Sequence, residues 1–101
     1  MGHIESLPPF YRTHLSALAT RIMVCTGLGK WEMGTELVGL IESGGPVELR
    51  RLAGQFHLAH AEALCAAGSI EAAKQSVRSL SEVWPEGRAR ALDSKALAAI
   101  W

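Results

Sequence analysis

The strongest constraint on this chain is that part of it occurs twice. The segment GKWEMGTELVGLIESGGP lies over GSIEAAKQSVRSLSEVWP without a gap, at a constant offset of 39 residues from Gly29 to Gly68. Gly29 falls on Gly68, Trp31 on Ile70, Gly34 on Ala73, Val38 on Val77, Ile41 on Leu80 and Pro46 on Pro85. Each class has a physical task. The first glycine permits a positive φ in a tight turn between helices. The bulky residue two positions on anchors the packing of antiparallel helices, and the small residue after it lets the second helix approach the first. Glycine inside a helix costs about 1 kcal/mol relative to alanine, so Gly34 implies a close contact. The proline stops one helix and starts the next. A unit that recurs with this spacing predicts stacked helical hairpins.

The rest of the sequence agrees with an all-α fold. Asparagine is absent, and no β-branched run alternates with polar residues. Apolar residues recur instead at i, i+3, i+4 and i+7. Leu15, Leu18, Ala19, Ile22 and Cys25 make one helical face, and Trp31, Gly34, Leu37, Val38 and Ile41 a second. Leu49, Leu52, Ala53, Phe56, Ala63 and Leu64 make a third, followed by Ile70, Ala73, Val77, Leu80 and Trp84.

Punctuation sets the boundaries. Pro8 and Pro9 precede a first helix over about Phe10 to Thr26, with Gly27 and Gly29 between helices one and two. Ser43, Gly44, Gly45 and Pro46 form the clearest break. A longer third helix runs from near Val47 to Ala67, and Ser69 is placed to cap the fourth from Ile70. Pro85 and Gly87 end it, and the tail from Arg88 to Trp101 reads as one more helix, interrupted near Asp93 and Ser94. The chain divides into repeat 1 (about 10–46), repeat 2 (about 47–85) and a C-terminal cap (86–101) within one domain.

The second half of each unit resembles the tetratricopeptide repeat, whose second helix carries glycine, an aromatic two residues on, alanine, two apolar positions and a closing proline. Gly68, Ile70, Ala73, Val77, Leu80 and Pro85 fill that pattern. Gly29, Trp31, Gly34, Val38, Ile41 and Pro46 fill it in the first copy, with glycine in place of alanine. The resemblance covers roughly residues 15 to 85. The first helices depart from it: Leu18, Arg21, Ile22 and Cys25, then His57, His60, Ala61 and Leu64, stand at the signature positions, and only Ala61 fits. The unit is also longer than the family's usual 34 residues. What the resemblance implies is a divergent α-α superhelix of two repeats with a capping helix.

It also implies a non-catalytic protein-interaction module whose first helices line a concave groove for a peptide or partner helix. The groove positions are Ser16, Ala19, Met23 and Thr26 in copy one, and Gln55, Leu58, Glu62 and Cys65 in copy two. They are mostly small or apolar and lack the lysine, asparagine and arginine of the family's carboxylate clamp, so an apolar or amphipathic partner fits better than a chaperone C-terminus. Two repeats fall short of the three usually needed for a continuous core. End-capping, dimerisation or a partner would complete them, and the tail has Leu92, Leu97, Ile100 and Trp101 available for capping. It resembles the closing stretch of some small bacterial proteins of this repeat type. Trp84 and Trp101 are read as caps for the last apolar face rather than as contact residues.

Other classes of function find little support. Ten basic and ten acidic residues cancel, so no net field draws the chain to nucleic acid or an anionic membrane. No segment has the roughly 18 continuous apolar residues of a membrane span, and MGHIESLPPF lacks the pattern of a signal peptide. A cytoplasmic protein is expected. Cys25 and Cys65 sit in apolar runs as small hydrophobes, with no activating base in view, and an enzyme is not expected.

Two alternatives rest on specific residues. Lys30 in TGLGKWEMG suggests a phosphate loop, but a P-loop would need glycine at Val24 and serine or threonine at Trp31, and a dinucleotide loop would need glycine at Glu32. The same turn recurs as AGSIEAA without a lysine. His57 and His60, three apart with Glu62 nearby, suggest a metal, but nothing fixes His3 or His14 beside them as further ligands. No cofactor is expected. A metal- or phosphate-binding regulator and a self-assembling structural protein remain the alternatives to an interaction module.

Overall fold

In the computed structural model, described for residues 9–41 and 46–100 with side chains over 17–41, 46–98 and at Ile100, every regular element is helical. Four longer helices follow one another: α1 (Pro9–Leu28), α2 (Trp31–Val38), α3 (Val47–Ala66) and α4 (Ile70–Val83). The tail is a 3₁₀ turn (Pro85–Gly87), a short α5 (Arg88–Asp93), a break at Ser94 and a second 3₁₀ segment (Lys95–Ile100). The interruption expected near Asp93 and Ser94 is there. Ser43, Gly44 and Gly45 of the central break, and Trp101, lie outside the described residues.

The two glycine turns are built alike. Gly29 has φ +70° and Gly68 φ +84°, the only positive values among the described residues. In the first turn the Lys30 amide donates to the Cys25 carbonyl at 2.9 Å; in the second the Ser69 amide donates to the Leu64 carbonyl at 2.8 Å. Both are the six-to-one bond with which a left-handed glycine closes a helix. The next bond also recurs, Gly34 to Lys30 and Ala73 to Ser69. The repeat in sequence is therefore a repeat in turn chemistry.

Several boundaries differ from the sequence reading. Gly27 lies inside α1, because Gly29 alone supplies the turn. The first helix correspondingly extends two residues beyond Thr26. The second helix does not run to Ile41: α2 ends at Val38, eight residues long against fourteen for α4. Gly39 and Leu40 stand there where the second copy has Arg78 and Ser79, and glycine is the poorer helix former. Ser69 occupies the position before α4, but its side chain makes no capping bond.

α3 is the middle of the molecule, packed against α1 on one side and α4 on the other, with α2 and the tail touching it. One core cluster joins Ile22 and Cys25 of α1, Val38 of α2, and Ala53 and Phe56 of α3. A second joins Ala61 of α3 with Ala73 and Val77 of α4, Ala91 of α5 and Leu97 of the tail. On α3 the inward positions include Gly54 and Ala61, whereas Ala63 is only half-buried.

Glycines locate the closest contacts. A β-carbon on Gly34 would overlap the Phe56 ring, so its close neighbour is α3 of the following unit rather than α1. A β-carbon on Gly54 or on Gly87 would overlap Trp84, which is buried between them. The reading of Trp84 as a core cap agrees with that position, and the Arg90 guanidinium lies 5.5 Å from its ring centre.

Two glycine substitutions should therefore act in opposite directions. Gly34→Ala should lower stability by about 1–3 kcal/mol through overpacking against Phe56. Gly27→Ala has nothing within 4 Å of the added carbon and should raise stability by about 0.5–1 kcal/mol. Urea unfolding of the two variants beside the parent measures both.

Candidate functional site

The groove residues read from the sequence fall into two unlike halves. In α1, Met23 is exposed, Ala19 is half-buried, and the Thr26 hydroxyl donates to the Ile22 carbonyl at 2.8 Å. Ser16 lies in α1, its side chain outside the described set. In α3, Leu58 and Cys65 pack against the cluster that contains Leu97, and Ile100 packs there with them. Glu62 accepts a hydrogen bond from the Ser94 hydroxyl at 2.6 Å, across 32 residues of sequence. Gln55 is half-buried. The chain's own tail thus lies along the α3 half of the face, while the α1 half carries exposed apolar side chains.

The tail occupies that position for sequence reasons. Ser94 ends α5 with an extended ψ of 120°, which redirects the chain so that the following 3₁₀ segment lies on α3 and α4. Leu97 is then completely buried. Of the tail residues named for capping, Leu97 is buried in the second core cluster and Ile100 packs against it, whereas Leu92 is exposed.

Four aromatic rings meet between α2 and α3. Trp31 stacks on His60 at 5.0 Å with the planes 8° apart, and lies 5.6 Å from Phe56 at a tilt of 60°. Phe56 meets His57 edge-on at 5.7 Å. The sequence reads Trp31 as an interhelix anchor, and its ring meets Phe56 and His60 of α3, so the anchoring joins the two units. The Trp31–His60 partnership has no signal in the sequence beyond His60 lying beside an apolar stripe.

This packing sets the chemistry of both histidines. Burial, then the nearby His60, lowers the pKa of His57 to about 4, and burial lowers that of His60 as well. Their rings serve packing as neutral imidazoles. Among the described residues no three histidine, cysteine, aspartate or glutamate side chains converge as a metal site. Cys25 is buried and Cys65 half-buried, both as free thiols.

The lysine turn is likewise committed to structure. The amides of Lys30 and Trp31, which a phosphate cradle would require, donate to the carbonyls of Cys25 and Gly29. No helix among the described residues is long and apolar enough to cross a membrane. No protein-family model, curated protein or solved structure matches the chain.

The histidine environment predicts a pH dependence. With a folded-state pKa near 4 against 6.5 unfolded, His57 binds its proton less readily when folded. Stability is then complete above about pH 6.5 and falls as the pH drops towards 4, with His60 contributing in the same direction. Between pH 7 and 5 the loss from His57 should be roughly 1–2 kcal/mol. Urea unfolding at the two pH values, repeated on His57→Gln, checks it, and the variant should show the smaller difference.

Proposed function

We propose that the chain is a non-catalytic protein-interaction module, built as a divergent pair of tetratricopeptide-like hairpins, that receives an apolar helical segment on its first hairpin. One observation carries this reading. Of the seven large apolar side chains exposed among the described residues, five (Met23, Val24, Leu28, Met33 and Leu40) belong to α1, α2 and the turn after α2. Leu28 is 66% and Leu40 69% exposed, although Leu28 stands three residues from buried Cys25 and Leu40 two from buried Val38. Scattered surface leucines need no explanation, but their concentration in one hairpin does.

The repeat supports the architecture. Turn glycines with positive φ, a six-to-one bond after each, and buried residues at Gly34, Ala73, Val38 and Val77 recur at the same offset. The proposed partner surface differs from a groove running the length of both first helices. Of the α3 positions, Glu62 is bonded to Ser94 of the tail, and Leu58 and Cys65 pack on the second core cluster, so we assign the partner to the α1 end, with Ala19, Met23 and Thr26 at its margin. The partner itself is read as a protein or peptide with an apolar helical face, a second copy of the chain being one such source.

The two surfaces give distinguishable outcomes. Val24→Glu with Leu28→Glu should abolish partner capture in a pull-down while leaving the unfolding midpoint nearly unchanged, since both side chains are exposed. Leu58→Glu should instead destabilise the fold by about 2 kcal/mol or more, through a charge placed against the second core cluster. Capture that survives the first pair would overturn the assignment, and sedimentation of the parent protein alone separates self-association from a foreign partner.

A further inference from the structure

Away from the first hairpin, a cleft of about 450 Å³ opens between α4 and the C-terminal segment. Its floor is apolar, formed by Val77 and Ile100, and its walls bring together three cations: Lys74 and Arg78 of α4 and Arg88 of α5. Ser81 adds a hydroxyl, and Glu82 is the one carboxylate in the lining. The whole chain has a formal net charge of zero, so three positive groups against one negative make a local excess.

That excess is poorly neutralised from within. Lys74 and Arg78 are four residues apart on α4, the spacing at which like charges repel along a helix. Lys74 pairs with Glu71 at 3.4 Å, but the Glu71 side chain is 88% exposed and outside the lining, where such a pair contributes little. Arg78 donates to the neutral Gln75 amide oxygen at 3.0 Å. Neither Arg78 nor Arg88 forms an ion pair with a described residue. Convergent cations around an apolar floor complement a molecule with a negative head and a hydrocarbon body. Guanidinium groups bind carboxylates through paired N–H donors.

We propose that this cleft binds an amphipathic carboxylate, with its head group on Arg78 and Arg88 and its hydrocarbon on Val77 and Ile100. The site is separate from the apolar face of the first hairpin and does not depend on it.

Titration of octanoate into the ¹⁵N-labelled 101-residue chain tests this, read at the backbone amides of Val77, Ser81 and Ile100. Saturable shifts are expected. Arg78→Gln with Arg88→Gln should weaken binding about tenfold or more while retaining the parent's helical circular dichroism. Ser81→Glu, which adds a negative charge and leaves both arginines in place, should weaken it too. Absence of saturable shifts, or equal affinity in both variants, overturns the proposal. So does an equal response to 1-octanol, which would make the cleft merely apolar, or to inorganic phosphate, which would make it a bare cationic patch.

Discussion

Aromatic rings seated where β-carbons are missing hold this molecule together. Phe56 fills the space left by Gly34, and Trp84 fills the spaces left by Gly54 and Gly87. The first contact ties α2 to α3; the second ties α3 to the turn that follows α4. Each brings a flat, fully apolar surface within contact of backbone, which yields dense packing from few residues. Phe56 has no solvent exposure, and truncating such a ring typically costs about 3–5 kcal/mol. In a chain whose core is split into two modest clusters, these seats fix how the helices are spaced.

The same contacts explain why groups that suggest chemistry are occupied by structure. His60 completes a stack with Trp31, and His57 meets the edge of Phe56. Burial disfavours the imidazolium, so the pair is more useful to the fold neutral than charged. Lys30 follows a glycine whose left-handed conformation is needed for the turn, and the amides around it are spent on closing α1 and opening α2. Three cations, Lys74, Arg78 and Arg88, meet elsewhere, in the lining of the cleft beside α4.

Much of this architecture was legible in the sequence, and the reasons are local. Gly29 and Gly68 announce their turns because no other residue adopts that φ as readily. Pro46 stands immediately before α3, and Pro85 opens the 3₁₀ turn after α4. Apolar spacing named Ile22, Cys25, Phe56, Val77 and Leu80 as interior, and all are buried. What escaped was long-range. The Trp31–His60 stack joins residues 29 positions apart and depends on the relative rotation of two helices. The Ser94–Glu62 hydrogen bond depends on the tail folding back along α3. Periodicity states which side of a helix is apolar, but not whether a partner or the chain's own end covers it. For the α3 face, the chain's own end does.

That placement of the tail gives the molecule a polarity. A head-to-tail array of hairpins requires an apolar surface at both ends of each unit, so that every copy can receive the next. Here Leu97 and Ile100 occupy one end, and the exposed apolar side chains concentrate at the other. A further hairpin stacked on that end would have to displace the tail from the cluster that Leu97 belongs to. A pairing of two first hairpins would instead set that surface against itself, a two-fold arrangement that closes at two copies.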